Sequence, residues 1–183
     1  MTTITRKSSK AVYGKAPGKK SNKVSRPKAK SKKPYCYEYP RPSVTVDVIL
    51  FYRDGERIEV LLIKRARPPF KGAWAFPGGF VDHDEALERA ATRELKEETG
   101  LEGIRLEQLG AFGDSGRDPR GHTVSIAFVA LLESRTEAIA ADDADEAQWH
   151  SALRPPRLAF DHKKILQQAL DRFFGASRKG KNK

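Results

Sequence analysis

Three carboxylates, Glu94, Glu97 and Glu98, fall within five residues of the run Arg93-Glu94-Leu95-Lys96-Glu97-Glu98-Thr99-Gly100. Such a run is either a solvated helix face or a set of hard oxygen ligands gathered for a cation. Periodicity helps to separate the two. The flanking sequence predicts a helix over 82–99, with Asp82 and Glu85 at capping-box spacing and Gly100 as its stop. At about 100° per residue, Glu97 and Glu98 lie about 60° and 40° to either side of Glu94. Leu87, Ala90, Ala91 and Leu95 share that side, whereas Glu88, Arg89, Thr92 and Lys96 supply the solvated face. The glutamates therefore extend the apolar stripe. Glu94 and Glu98, at i,i+4, repel each other by about a few tenths of a kcal/mol even when exposed, and partial burial raises that cost. Arg93 can offset only part of the charge. Crowded carboxylates suit Mg2+ or Mn2+, which bind them together with phosphate oxygens and water. A structural ion-pair cluster is the alternative reading.

Such a helix needs a scaffold, and the surrounding sequence provides one. The runs Ser43–Tyr52 and Ile58–Arg65 are β-branched and apolar and flank an Asp54-Gly55 turn signal, as in a hairpin. Residues 66–80 read as a loop rich in Pro and Gly, carrying Trp74 and Phe76. Further strands are predicted over 104–114 and 122–133, with a short one over 147–150. An acidic loop covers 136–147. An amphipathic helix over 160–174 repeats apolar residues at Ile165, Leu166, Ala169, Leu170 and Phe173. Strands on both sides of a central helix, with a helix at the end, predict an α/β fold in which helices cover one mixed sheet.

Charge divides the chain of 183 residues unevenly. Residues 1–33 carry twelve Lys/Arg and no acid, and 178–183 carry four more. The expectation is a disordered basic tail over 1–34, a domain over 35–177 and a short basic tail over 178–183. The N-terminal tail reads as a solubilising segment, as an electrostatic arm for a polyanion, or as a targeting segment. No apolar run reaches the length of a membrane helix, and no apolar core follows the basic N-terminus as in a secretory signal. The single cysteine, Cys36, forms no intramolecular disulfide and has no activating base beside it. A cytoplasmic location without membrane association is expected, and a homodimer is compatible with the sequence.

Reading outward from the glutamates gives Gly79, five residues, Glu85, seven residues, then Arg93-Glu94-Leu95-Lys96-Glu97-Glu98-Thr99-Gly100-Leu101. This resembles the Nudix box, G-x5-E-x7-R-E-U-x-E-E-x-G-U with U aliphatic, at every fixed position. A chance match is on the order of 10⁻⁹ per start point, so the motif is specific. The resemblance covers about 40–174 and implies a Nudix-type α/β/α sandwich with a mixed β-sheet. It implies hydrolysis of a nucleoside diphosphate linked to another moiety, with Mg2+ (or Mn2+) as cofactor. It makes Glu94 and Glu98 the principal metal ligands, with Glu97 and the Gly79 carbonyl in the same site. Glu85 and Arg93 would be a structural pair that orients the loop and helix, and Gly100 would end the helix.

The base that takes the proton of the attacking water varies in this family. Glu97 and Glu98 are candidates in the box, and Asp143, Asp145 and Glu146 are candidates in the acidic loop. Among the loop acids Glu146 is favoured, because it lies just before the Trp149 strand. Residues 65–82 and 116–125 further resemble the ADP-ribose pyrophosphatase branch. They offer Arg65, Arg117 and Arg120 to phosphate or ribose oxygens, and Trp74, Phe70 or Tyr39 to an adenine. Alternatively, Arg117 and Arg120 pair with Asp114 and Asp118 to fix a turn. Many members of that branch carry a proline about sixteen residues after the box, whereas the first here is Pro119. ADP-ribose, cleaved to AMP and ribose 5-phosphate, is the leading substrate. NADH, a dinucleoside polyphosphate, a nucleotide sugar or an oxidised nucleotide is the alternative. A non-catalytic module binding ADP-ribose or nucleic acid is a third reading. Regulators of that kind carry an added DNA-binding domain, for which 175–183 would leave no room. The sequence Leu158-Ala159-Phe160-Asp161-His162 also occurs in related proteins, without a role evident from sequence.

Overall fold

A computed structural model describes the backbone of residues 37–135 and 144–179 and the side chains of 37–135 and 146–175. Cys36, Asp143, the whole N-terminal tail over 1–34 and the last four residues lie outside these, as does the Asp145 side chain. The chain runs β1 (Ser43–Asp54), β2 (Arg57–Arg65), β3 (Trp74–Ala75), β4 (Gly78–Phe80), α1 (Leu87–Thr99), β5 (Glu107–Phe112), β6 (Thr123–Leu132), β7 (Ala144–Ser151) and α2 (His162–Lys179). The strands form one seven-stranded sheet ordered β3-β2-β1-β6-β5, with β4 paired to β1 and β7 to β2. β1 and β6 are parallel over Ser43–Tyr52. The other pairings are antiparallel, so the sheet is mixed as expected.

Both faces of the central strands are covered, which explains why β1 is buried without interruption over 45–51. Alternation then sorts its side chains. Val46, Val48 and Leu50 meet Ala90, Ala91 and Leu95 of α1. Ile49 and Phe51 meet Ile165, Leu166, Ala169 and Phe174 of α2. Asp47 falls on this second side and is only 8% exposed. A carboxylate in that position needs partners.

Helix α1 begins at Leu87 rather than at 83, immediately after Asp82. Asp84 takes a left-handed φ of 62°, which stops the helix from extending further back. Asp82 and Glu85 do pair, but in a turn before the helix. The Asp82 N–H donates to Glu85 Oε2 at 3.0 Å and the Glu85 N–H donates to the Asp82 carbonyl at 3.1 Å. Ala86 then holds the N-cap position without a side-chain cap. At the other end Gly100 adopts φ 71° and its N–H caps the Lys96 carbonyl, as predicted. β7 is longer than the expected 147–150. Seven of its residues pair with β2, placing Glu146 in a strand opposite Lys64. Residues 136–143 lie outside the described residues. No helix among the described residues is long and apolar enough to cross a membrane.

Candidate active site

The carboxylates of α1 face the β1–β4 junction, where two glycines allow close approach. A Cβ at Gly79 would collide with the Glu94 carboxylate, and one at Gly78 would collide with the Val46 carbonyl. The Gly78 N–H donates to Glu98 Oε2 at 2.8 Å. Glu94 is 14% exposed and its Oε1 accepts from Arg93 Nη1 at 2.7 Å. Glu97 lies at the rim, 46% exposed, and accepts from the same nitrogen at 3.0 Å. Arg93 also forks onto Glu85, with both bonds at 2.8 Å, and reaches the Phe80 carbonyl at 3.1 Å. One guanidinium thus ties three carboxylates to β4.

The electrostatics show which acids are well served. The Arg93 fork holds the Glu85 carboxyl down to about 2. Burial pushes Glu98 up to about 8, against the Gly78 hydrogen bond and with repulsion from Glu94 adding to the effect. Burial also raises Glu94, although Arg93 opposes it. Arg93 is therefore too little positive charge for this corner. Among the described residues no three acid, His or Cys side chains are grouped closely enough to hold a metal ion. The donor types nevertheless fit a hard divalent cation: two under-compensated carboxylates and a neighbouring main-chain carbonyl at Gly79.

These groups open onto a cleft of about 390 Å³ lined by Asp47, Arg65, Phe80, Arg120, Phe160 and the box acids, among others. The Arg65 guanidinium lies 4.9 Å from the Phe160 ring centroid and donates to the Pro69 carbonyl at 2.9 Å. Burial lowers its pKa, and the neighbouring Arg120 charge lowers it further. Arg120 sits 5.0 Å from the Phe80 ring and 5.7 Å from the Phe160 ring. Its side chain is 43% exposed and forks onto buried Asp118. Two like charges beside one cleft favour an anionic ligand.

The predicted site residues separate accordingly. Glu94, Glu97, Glu98, Gly79, Arg65 and Arg120 meet at the cleft. Arg117 also lines it, but its side chain is 5% exposed and makes a fork onto Asp161 at 2.6 and 3.1 Å. Its partner is Asp161 rather than the Asp114 side chain, which pairs with Lys164. Trp74 does not line the cleft. Its ring packs against the α2-side core and lies 4.2 Å from His150. Glu146 does not line the cleft either, because it is paired across the sheet with Lys64 at 2.8 Å and accepts from Gln148. Phe70 packs edge-on against Phe160 at 4.9 Å, and Tyr39 is 72% exposed.

Sequence reasoning missed Asp47 and Phe80, and it singled out Phe160 and His162 only within the run 158–162, without a role. Asp47 had one readable signal, its position on the inward face of an apolar strand. Phe160 takes φ 51°, rare for a bulky residue and invisible in sequence.

A family model described as NUDIX domain matches residues 41–169. An ADP-ribose pyrophosphatase of Methanocaldococcus jannaschii is 46% identical over 129 residues, covering 70% of this chain and 73% of the relative. The ADPR responsive transcriptional repressor NtrR of Acinetobacter baylyi is 37% identical over 145 residues, covering 77% of this chain but only 58% of its own length. The NUDIX domain of Shewanella oneidensis NrtR, solved in complex with ADP ribose, superposes with a TM-score of 0.66. It is 35% identical, and the match covers 73% of this chain and 90% of that one. With the intact box from Gly79 to Leu101 seated at an arginine-lined cleft, the chain belongs to the Nudix family of pyrophosphohydrolases.

Proposed function

We propose that the protein hydrolyses ADP-ribose to AMP and ribose 5-phosphate, using Mg2+ (or Mn2+) held by Glu94, Glu98 and the Gly79 carbonyl, with Glu97 at the rim. The observation that carries this reading is one cleft that combines under-compensated carboxylates with Arg65 and Arg120. When bound, the cation supplies charge withdrawal from the pyrophosphate oxygens and acidifies water. Arg65 and Arg120 are set to hold the diphosphate, the latter by exchanging part of its bond to Asp118. Phe160 and Phe80 offer ring faces to the flat adenine. Glu98, its Oε2 fixed by the Gly78 N–H, is kept for the cation, and Glu97 at the rim is the proposed base that takes the proton of the attacking water. The water oxygen bonds to one phosphorus, the bond from that phosphorus to the bridging oxygen breaks, and each product keeps one phosphate.

The names and the bound ligand of the relatives support ADP-ribose as the ligand. The repressor relative favours a second reading, ADP-ribose binding without turnover. A nucleotide panel with Mg2+ separates them. ADP-ribose should be hydrolysed at least about tenfold more efficiently in kcat/KM than NADH, dinucleoside polyphosphates or nucleotide sugars, about 1.4 kcal/mol of preferential transition-state binding. Binding without products would establish the second reading, and faster turnover of another substrate would overturn the substrate assignment.

A further inference from the structure

The segment Phe160-Asp161-His162 leads into α2, and His162 lines the same cleft from beneath. Its ring is 2% exposed. It stacks on the Phe76 ring at 4.7 Å with 15° between the planes. His162 Nδ1 accepts from the Phe76 backbone N–H at 3.1 Å, so that nitrogen carries no proton. The proton sits on Nε2, which lies 3.4 Å from Asp47 Oδ1. Asp47 Oδ2 also accepts from the Ser125 hydroxyl and lies 3.8 Å from Arg117 Nη2. Asp47 therefore selects the imidazole tautomer that leaves Nδ1 as an acceptor.

The peptide held in this way is the one that leads into the candidate site. His162 accepts from the Phe76 N–H, the Pro77 carbonyl accepts from the Val48 N–H at 2.8 Å, and Glu98 accepts from the Gly78 N–H at 2.8 Å. Gly78 and Gly79 pair with Asp47 and Val46 of β1. Each of these three consecutive residues is therefore pinned, and a displaced Phe76 would move the Gly78 N–H from under Glu98. Burying an ionic network costs more than an apolar core of the same volume. This one ties β1, β6, the Arg117 loop and the start of α2 to a single turn.

We propose that His162, oriented by Asp47, is a positioning residue for hydrolysis. It fixes the Phe76–Gly78 turn, and through it the N–H that holds Glu98 and the Gly79 carbonyl beside Glu94. The role rests on the reading of Glu98 and Gly79 given above.

The test compares His162→Asn with His162→Gln in the full chain, reading kcat, KM and the backbone amide resonance of Gly78. Asn places its carbonyl oxygen near the Nδ1 position and keeps an acceptor for Phe76. Gln places its amide near the Nε2 position and leaves the Phe76 N–H without one. His162→Gln should lower kcat about 10–100-fold, with KM for ADP-ribose within about threefold, and should shift the Gly78 amide. His162→Asn should restore kcat to within about fivefold of wild type, and its Gly78 amide should stay near the wild-type position. Asp47→Asn keeps the shape but loses the tautomer selection, so it should shift the same resonance with a smaller loss of kcat. It carries the test if His162→Gln does not fold. An unmoved Gly78 amide in a folded His162→Gln or Asp47→Asn protein would overturn the proposal, as would equal losses in the Asn and Gln variants. If the wild type does not hydrolyse ADP-ribose, the functional reading fails, and the amide comparison still decides whether His162 sets the turn.

Discussion

Replacing Arg93 by Lys tests how the glutamate helix is held to the sheet. Arg93 donates to Glu85 twice, to Glu94 and Glu97 once each, and to the Phe80 carbonyl. Hydrogen bonds to charged groups contribute about 1.5–3 kcal/mol when shielded, and exposed pairs about 0.2–1 kcal/mol. Glu85 and Glu94, each 14% exposed, belong to the first class, and Glu97, 46% exposed, belongs to the second. Lysine keeps the charge and can serve one carboxylate, but a single ammonium cannot reproduce the planar fork. Arg93→Lys should therefore cost about 2–3 kcal/mol, the value of one shielded carboxylate contact and part of another. In urea unfolding at neutral pH without divalent cation, this is a midpoint lower by about 1 M for a slope near 2 kcal/mol/M. A loss below about 0.5 kcal/mol would place Arg93 among ordinary surface ion pairs and refute the reasoning.

Other outcomes follow from the same geometry. Glu85 has a folded pKa of about 2 against an ordinary 4.5. The stability it contributes is present in full above the ordinary value and is lost as pH falls toward 2, so the difference in urea midpoint between wild type and Glu85→Gln should be largest above pH 5 and shrink as acid is added. Glu98 has the opposite sign. Its folded pKa of about 8 lies above the ordinary 4.5, so ionisation weakens the native state as pH rises, and Glu98→Gln should raise the urea midpoint at neutral pH when no divalent cation is present. Added Mg2+ should then stabilise the wild type and have little effect on the variant, as thermal melting with and without the cation would show. Phe160→Ala should raise KM for ADP-ribose about tenfold with little change in kcat, and steady-state kinetics showing the reverse would remove the ring from substrate binding.

The box was legible because its residues are local. Gly79 to Leu101 carries a turn, a helix and its stop, and the helical wheel alone placed Glu94 and Glu98 beside Leu95. The start of that helix was not legible, because Asp84 turns left-handed before Leu87 and confines the Asp82–Glu85 pairing to a turn ahead of the helix. Glu146 read as a loop acid because acidic residues are poor strand formers, yet pairing with Lys64 across β2 and β7 makes it a strand residue. The partnerships beneath the cleft were hidden for a different reason. Asp47 meets Ser125, 78 residues along the chain, and Arg117 meets Asp161 at a separation of 44. A sequence can show that a buried acid requires partners, but only the topology that brings β1, β6 and α2 together selects them.

The central claim is that the carboxylates of α1 drive hydrolysis of a bound diphosphate. Its most direct test is ADP-ribose turnover by wild type and Glu98→Gln side by side with Mg2+, with ADP-ribose affinity measured on both proteins. The wild type should release AMP and ribose 5-phosphate, and the variant should bind ADP-ribose with similar affinity but turn it over about 10²–10⁴-fold more slowly. A variant that hydrolyses at nearly the wild-type rate, or a wild type that binds ADP-ribose and releases neither product, would contradict it.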